Sequence, residues 1–193
     1  MMKSFSKPFV LAGAIAGLAL LPACSSDADT AEAETATQDT STRTLAASLG
    51  DLPDMASLNG AISSAELGSV FDGPASYTLL APNDSAFEAL GGTGSTLMAE
   101  EQRPLLVGVL REHILPGHLT PENIQAALES QGGEVSMTTL GGGSVTFTQE
   151  GDTIMVANDS GAKASFVGSA TAANNGVIIP LDTVLVPEET AGA

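Results

Sequence analysis

The sequence predicts an α+β fold, on a change of hydrophobic period along the chain and a sharp corner near its middle. In the first half, Leu52, Met55, Leu58, Ile62 and Ala65 recur at steps of three and four, which marks one face of an amphipathic helix. From Val135 the period drops to two: Val135, Met137 and Thr139 alternate with polar residues, as do Val145 and Phe147, the spacing of half-buried strands. Between them lies Tyr77–Leu90, YTLLAPNDSAFEAL, the stretch around which the rest is organised. Tyr77–Leu80 is a short apolar, β-prone run suited to one buried strand. Pro82 ends it for want of an N–H. Asn83, Asp84 and Ser85 can each cap a helix, and Ser85 with Glu88 has capping-box spacing; Asn83 or Asp84 is favoured. Phe87 and Leu90 share the face of that helix.

The remaining elements follow in order. Residues 1–23 are expected to be a lipoprotein signal peptide. Lys3 and Lys7 form a positive start, Phe9–Leu21 is an apolar run too short for a comfortable membrane span, and Leu21-Pro22-Ala23-Cys24 resembles the lipobox of bacterial lipoproteins. Cys24 is the only cysteine, so it has no disulfide partner in the chain, and lipidation is its expected role. Ser25 and Ser26 follow it rather than the Asp of inner-membrane retention, which favours an outer membrane. Residues 24–44 read as an acidic, disordered tether with a root-mean-square reach of about 25 Å. A domain is expected over 45–187 and a tail over 188–193.

Within the domain, Leu67, Val70 and Phe71 supply a second short turn, broken by Gly73-Pro74. Gly91–Ser95 is expected to be a flexible loop, and Gly92-Thr93-Gly94 lacks the third glycine of a phosphate cradle. Leu105, Leu106, Val109, Leu110 and His113 mark a helix stopped by Ile114–Gly117. Thr120-Pro121-Glu122 opens another, with Ile124 and Leu128 inward. Gly141–Gly143 and Gly151-Asp152 sit at hairpin turns. Thr153–Ala157, Ala164–Val167, Gly176–Leu181 and Thr183–Val186 are expected strands.

Charge narrows the function. The formal net charge is −17, and loss of residues 1–23 removes Lys3 and Lys7 and no acid, leaving 4 basic against 23 acidic residues. Such a chain is a poor ligand for nucleic acid and is repelled by anionic lipid, so membrane attachment would have to come from the acyl chains on Cys24.

Three segments carry a family resemblance. Leu80–Phe87, LAPNDSAF, resembles the first signature of the fasciclin domain family. Leu105–Gly117 resembles the second, a Leu-rich helix ending Tyr-His before an apolar pair; His113 matches the His, and Glu112 stands in place of the Tyr. Asn174–Pro187 resembles the third: Asn175-Gly176, Asp182 and Val-Leu-x-Pro match, while Ile179 replaces a His. The resemblance implies an antiparallel β-sheet wedge packed with an N-terminal helical half, and a structural role for Pro82, Asn83, Asp84, Phe87, His113, Asn175, Gly176 and Asp182. It further implies a binding or adhesion module that engages glycan, matrix or a surface protein, with lipid anchoring expected from the lipobox at Cys24. The Tyr-His pair is tied to integrins in animal relatives, so Glu112 argues against carrying that activity over. An animal motif ending Asp-Ile/Met gives Asp84 and Asp182 a rival, recognition reading.

Enzymatic alternatives have thin support. After the signal, the histidines are His113 and His118. They are five residues apart across Pro-Gly and share no helix face, so no metal site is expected. No Gly-x-Ser-x-Gly elbow occurs. Asn158–Gly161 offers a weak calcium reading that a hairpin turn explains better. No catalytic residue and no cofactor are expected, and the chain should be a monomer. The alternatives are a hydrolase of unknown substrate and a purely structural envelope lipoprotein.

Overall fold

The computed structural model describes residues 38–39 and 42–186. The signal peptide, Cys24, most of the tether, Pro187 and the tail lie outside them. The helices are α1 (Leu45–Asp51), α2 (Ala56–Ser64), α3 (Gly68–Phe71), α4 (Asp84–Ala89), α5 (Gly92–Leu97), α6 (Arg103–Glu112) and α7 (Pro121–Gln131). The strands are β1 (Gln38–Asp39), β2 (Tyr77–Pro82), β3 (Ile114–Pro116), β4 (Glu134–Thr138), β5 (Ser144–Glu150), β6 (Thr153–Asn158), β7 (Lys163–Ser165), β8 (Thr171–Ala173) and β9 (Gly176–Leu181).

They form two sheets, ordered β1-β8-β9-β2-β3 and β4-β5-β6-β7. The second is antiparallel throughout. The first is mixed, because β2 and β9 run parallel from Tyr77 beside Gly176 to Pro82 beside Leu181. This central pair is buried on both faces, which is why both strands read as continuous apolar runs. Leu79, Ala81 and Ile178 enter a core with the helices, including Leu45, Leu58, Phe71 and Leu106. Leu80, Val177, Ile179 and Leu181 enter a second core with α7 and the antiparallel sheet. There Phe147 and Phe166 meet edge to face, their ring centroids 6.0 Å apart, a favourable aromatic geometry. The wedge is therefore layered: helices, mixed sheet, antiparallel sheet.

Several local expectations change. Gln38–Asp39, inside the expected tether, lies parallel to Thr171 and Ala172, and Thr44 caps α1 through Ala47 N–H. Gly91–Ser95 is not a loop: Gly92–Leu97 is helical, pinned by buried Leu97 and Gly94, and tertiary contact outweighs the poor helix propensity of glycine. Thr183–Val186 is not a strand, although Val184, Leu185 and Val186 are buried, because the Leu185 N–H goes to a side chain rather than to a neighbouring strand. Leu105 lies off the buried stripe of α6 and is 36% exposed. Phe87 is only partly buried, against the helical core; Ala86 is the buried member of α4.

Candidate functional site

The three signature segments converge on the two ends of the β2–β9 pair. At the C-terminal end, Asn83 caps α4, its Oδ1 accepting from Ala86 N–H at 2.8 Å, while its own N–H donates to the Leu181 carbonyl at 3.0 Å. Ser85 and Glu88 do not form the box. Asp84 serves a different helix. The start of α2 has no capping side chain of its own at Met55, and Asp84 Oδ1 accepts from Ser57 N–H at 2.7 Å. Hydrogen bonds from the Ser57 and Ala56 end of that helix hold the Asp84 carboxyl below its ordinary pKa, as donors to the charged form do. Asp182 accepts from Ser165 N–H at 2.8 Å and from the Thr183 hydroxyl at 3.0 Å, tying the end of β9 to β7.

At the other end, Asn175 closes three elements. Its Oδ1 accepts from Leu45 N–H at 2.7 Å, and its Nδ2 donates to the carbonyls of Phe71 and Gly73 at 2.6 and 3.0 Å. Gly176 follows because any Cβ there would collide with the Tyr77 carbonyl and the Leu45 side chain.

His113 is 1% exposed and spends both ring nitrogens. Nδ1 lies 2.8 Å from the Val109 carbonyl and so carries the proton. Nε2 accepts from Leu185 N–H at 2.9 Å. Burial holds its pKa below the ordinary value; the Val109 carbonyl and the Glu112 charge oppose that only in part. His113 thus clamps the end of α6 to the segment after β9. Glu112, in the family's Tyr position, folds back on the β4–β5 loop. Its Oε2 accepts from the Thr139 hydroxyl at 2.6 Å and its Oε1 from Gly143 N–H at 3.3 Å. Gly141 and Gly143 leave the space it fills. Ile179, in place of the family's second His, is fully buried and contributes packing.

In the Asn158–Gly161 turn, Asn158 Oδ1 accepts from the N–H groups of Ser160 and Ala162. Both carboxylate oxygens of Asp159 are engaged at 2.7 Å, by Ser144 N–H and its hydroxyl. Among the described residues, no buried side-chain nitrogen or oxygen lacks a partner, and no three acidic, His or Cys side chains cluster to hold a metal.

A concave feature on the helical face falls in none of the sequence expectations as a site. A groove of about 380 Å³ is lined by Ser57 from α2, Phe87 and Glu88 from α4, Gly91, Gly94 and Ser95 around α5, and Met98. A smaller one of about 180 Å³ adjoins it at Met98 and runs to Glu100, Arg103 and Leu106. The signal for the first is half visible in the sequence, since Phe87 stands out in the signature but with a structural role implied for it.

This two-sheet wedge with a helical half, its ends pinned by the signature residues, is the fasciclin architecture. The Fasciclin domain family profile matches residues 53–187, and the chain belongs to that family. It is 31% identical to Protein sll1483 of Synechocystis sp., over 67% of this chain and 66% of that protein. It is 30% identical to the immunogenic protein MPB70 of Mycobacterium bovis, over 58% of this chain and 50% of that protein. The chain therefore spans about half to two thirds of these relatives' length. In structure it resembles a FAS1 domain pair from the insect cell adhesion molecule fasciclin I, with a TM-score of 0.68 at 14% identity, covering 78% of this chain and 53% of that one. Among the described residues no helix is long and apolar enough to cross a membrane.

Proposed function

We propose that this fasciclin-family chain is an extracytoplasmic binding or adhesion module, held at the cell envelope through acyl chains on Cys24. As a monomer it engages a glycan, a matrix component or another surface protein, and it turns over no substrate. The observation that carries the reading is the state of His113. A general base needs a nitrogen within reach of substrate, and both of its nitrogens are committed to backbone in a buried site. With the buried side-chain nitrogens and oxygens of the described residues satisfied, recognition falls to the surface. Family membership and likeness in fold to a cell adhesion molecule support the same reading. Ser25 and Ser26 after Cys24 favour an outer membrane as the place of attachment, with the intervening residues giving clearance from it.

Anchoring is tested by fractionating cells that express the parent or Cys24→Ser in the presence of radiolabelled fatty acid. The parent should carry label in the membrane fraction, and the variant should be unlabelled and released or left as precursor. Equal label on both would refute lipidation at Cys24. Binding is tested by exposing the full chain to a glycan array and to plates coated with matrix protein.

A further inference from the structure

We propose that the groove between α2, α4 and α5 receives an apolar side chain carried on a cationic peptide segment of a protein partner. This rests on the binding-module reading and narrows it to a partner class. The lining is apolar and adaptable: Phe87 and Met98, both partly buried, share it with glycines at 91 and 94. A methionine repacks around a guest more readily than a branched side chain, and an aromatic face attracts a cation as well as an apolar group. A volume of about 380 Å³ is at the small end of ligand sites, suited to one large side chain rather than an extended ligand.

The mouth is acidic. Glu88 lines it directly. The Asp84 carboxylate sits 2.7 Å from the N–H of Ser57, another lining residue, and is kept ionised by that bond. Among the described residues, no basic side chain lines this groove. The adjoining one has Arg103, whose guanidinium is already engaged by Glu66 at 2.9 Å. With a chain charge of −17 behind it, the mouth attracts a basic segment and repels anionic lipid and sulfated glycan.

The chain has no tryptophan, so the fluorescence of a tryptophan probe is read without background. The full chain is titrated into Lys-Trp-Lys amide and, separately, into Glu-Trp-Glu amide. Lys-Trp-Lys should show a saturable blue shift, with Glu-Trp-Glu weaker by about tenfold, as two exposed charge contacts would give. Ser95→Phe, which fills the groove, should abolish the shift. Glu88→Lys, an exposed change that leaves the core alone, should weaken it severalfold, and thermal melts confirm that both variants are folded. Equal affinity for the two peptides would mean that charge plays no part, parent-like binding by both variants would mean diffuse charge attraction away from the groove, and either would overturn the proposal. Failure of the module reading is separate: a chain that takes up Lys-Trp-Lys in the groove yet is retained on no array or plate keeps the groove and loses the adhesion role.

Discussion

At the scale of the residue, His113 shows how a signature position acts through protonation state. The neutral ring fits because Nδ1–H meets a carbonyl and bare Nε2 meets an amide N–H. A second proton on Nε2 would face the Leu185 N–H, donor against donor. Burial places the folded pKa below the ordinary 6.5. Between the folded value and 6.5, the unfolded chain binds a proton that the folded chain does not, so stability falls as pH falls through that window. His113 stability is thus complete above about pH 6.5 and is lost toward the folded pKa, with a limiting slope of about 1.4 kcal/mol per pH unit. Urea unfolding of the parent at a series of pH values from 7.5 to 4.5 should show this decline. In His113→Gln, less stable at neutral pH, the slope over the upper part of the window should flatten. An equal slope in both proteins would place the titrating group elsewhere.

At the scale of the element, α4 and its corner divide the work between frame and surface. Phe71 is 1% exposed and fully enclosed, so Phe71→Ala should cost about 3–5 kcal/mol, the range for emptying a buried aromatic site. Phe87 is partly exposed and lines the groove, so Phe87→Ala should cost less, about 1–2 kcal/mol, from the smaller apolar area uncovered. Urea midpoints of the two variants decide; a larger loss at Phe87 would make it the core residue and close the groove. The sequence carried α6, α7, β5, β6 and β9 clearly, because each has sustained periodicity or a strong cap. It carried the corner at Asn83 to within the choice of cap. Three features were not legible. The parallel pairing of β2 with β9 joins segments far apart in the chain, and no local signal encodes it. β3 and β8 are three residues each, shorter than any period can reveal. α5 is helical through packing against its own poor propensity, and without it the groove has no second wall, so the candidate site was hidden along with the helix.

At the scale of the whole molecule, the three signatures tie distant elements together: Asn83 and Asp84 join β9, α4 and α2; His113 joins α6 to the chain after β9; Asn175 joins α1, α3 and β9. The central claim is that these residues frame the domain while recognition belongs to its surface. Asn175→Ala tests it most directly. The change strands the Leu45 N–H and the Phe71 carbonyl in a buried site, a loss of about 3 kcal/mol, which for a chain of this size lowers the melting temperature by about 10 °C. The measurement pairs a thermal melt with retention on the glycan array and matrix plates, both on the same preparation and well below either melting temperature. The account predicts a lowered melt with retention per folded molecule equal to that of the parent. An unchanged melt with retention lost would contradict it, and would make the third signature a recognition site.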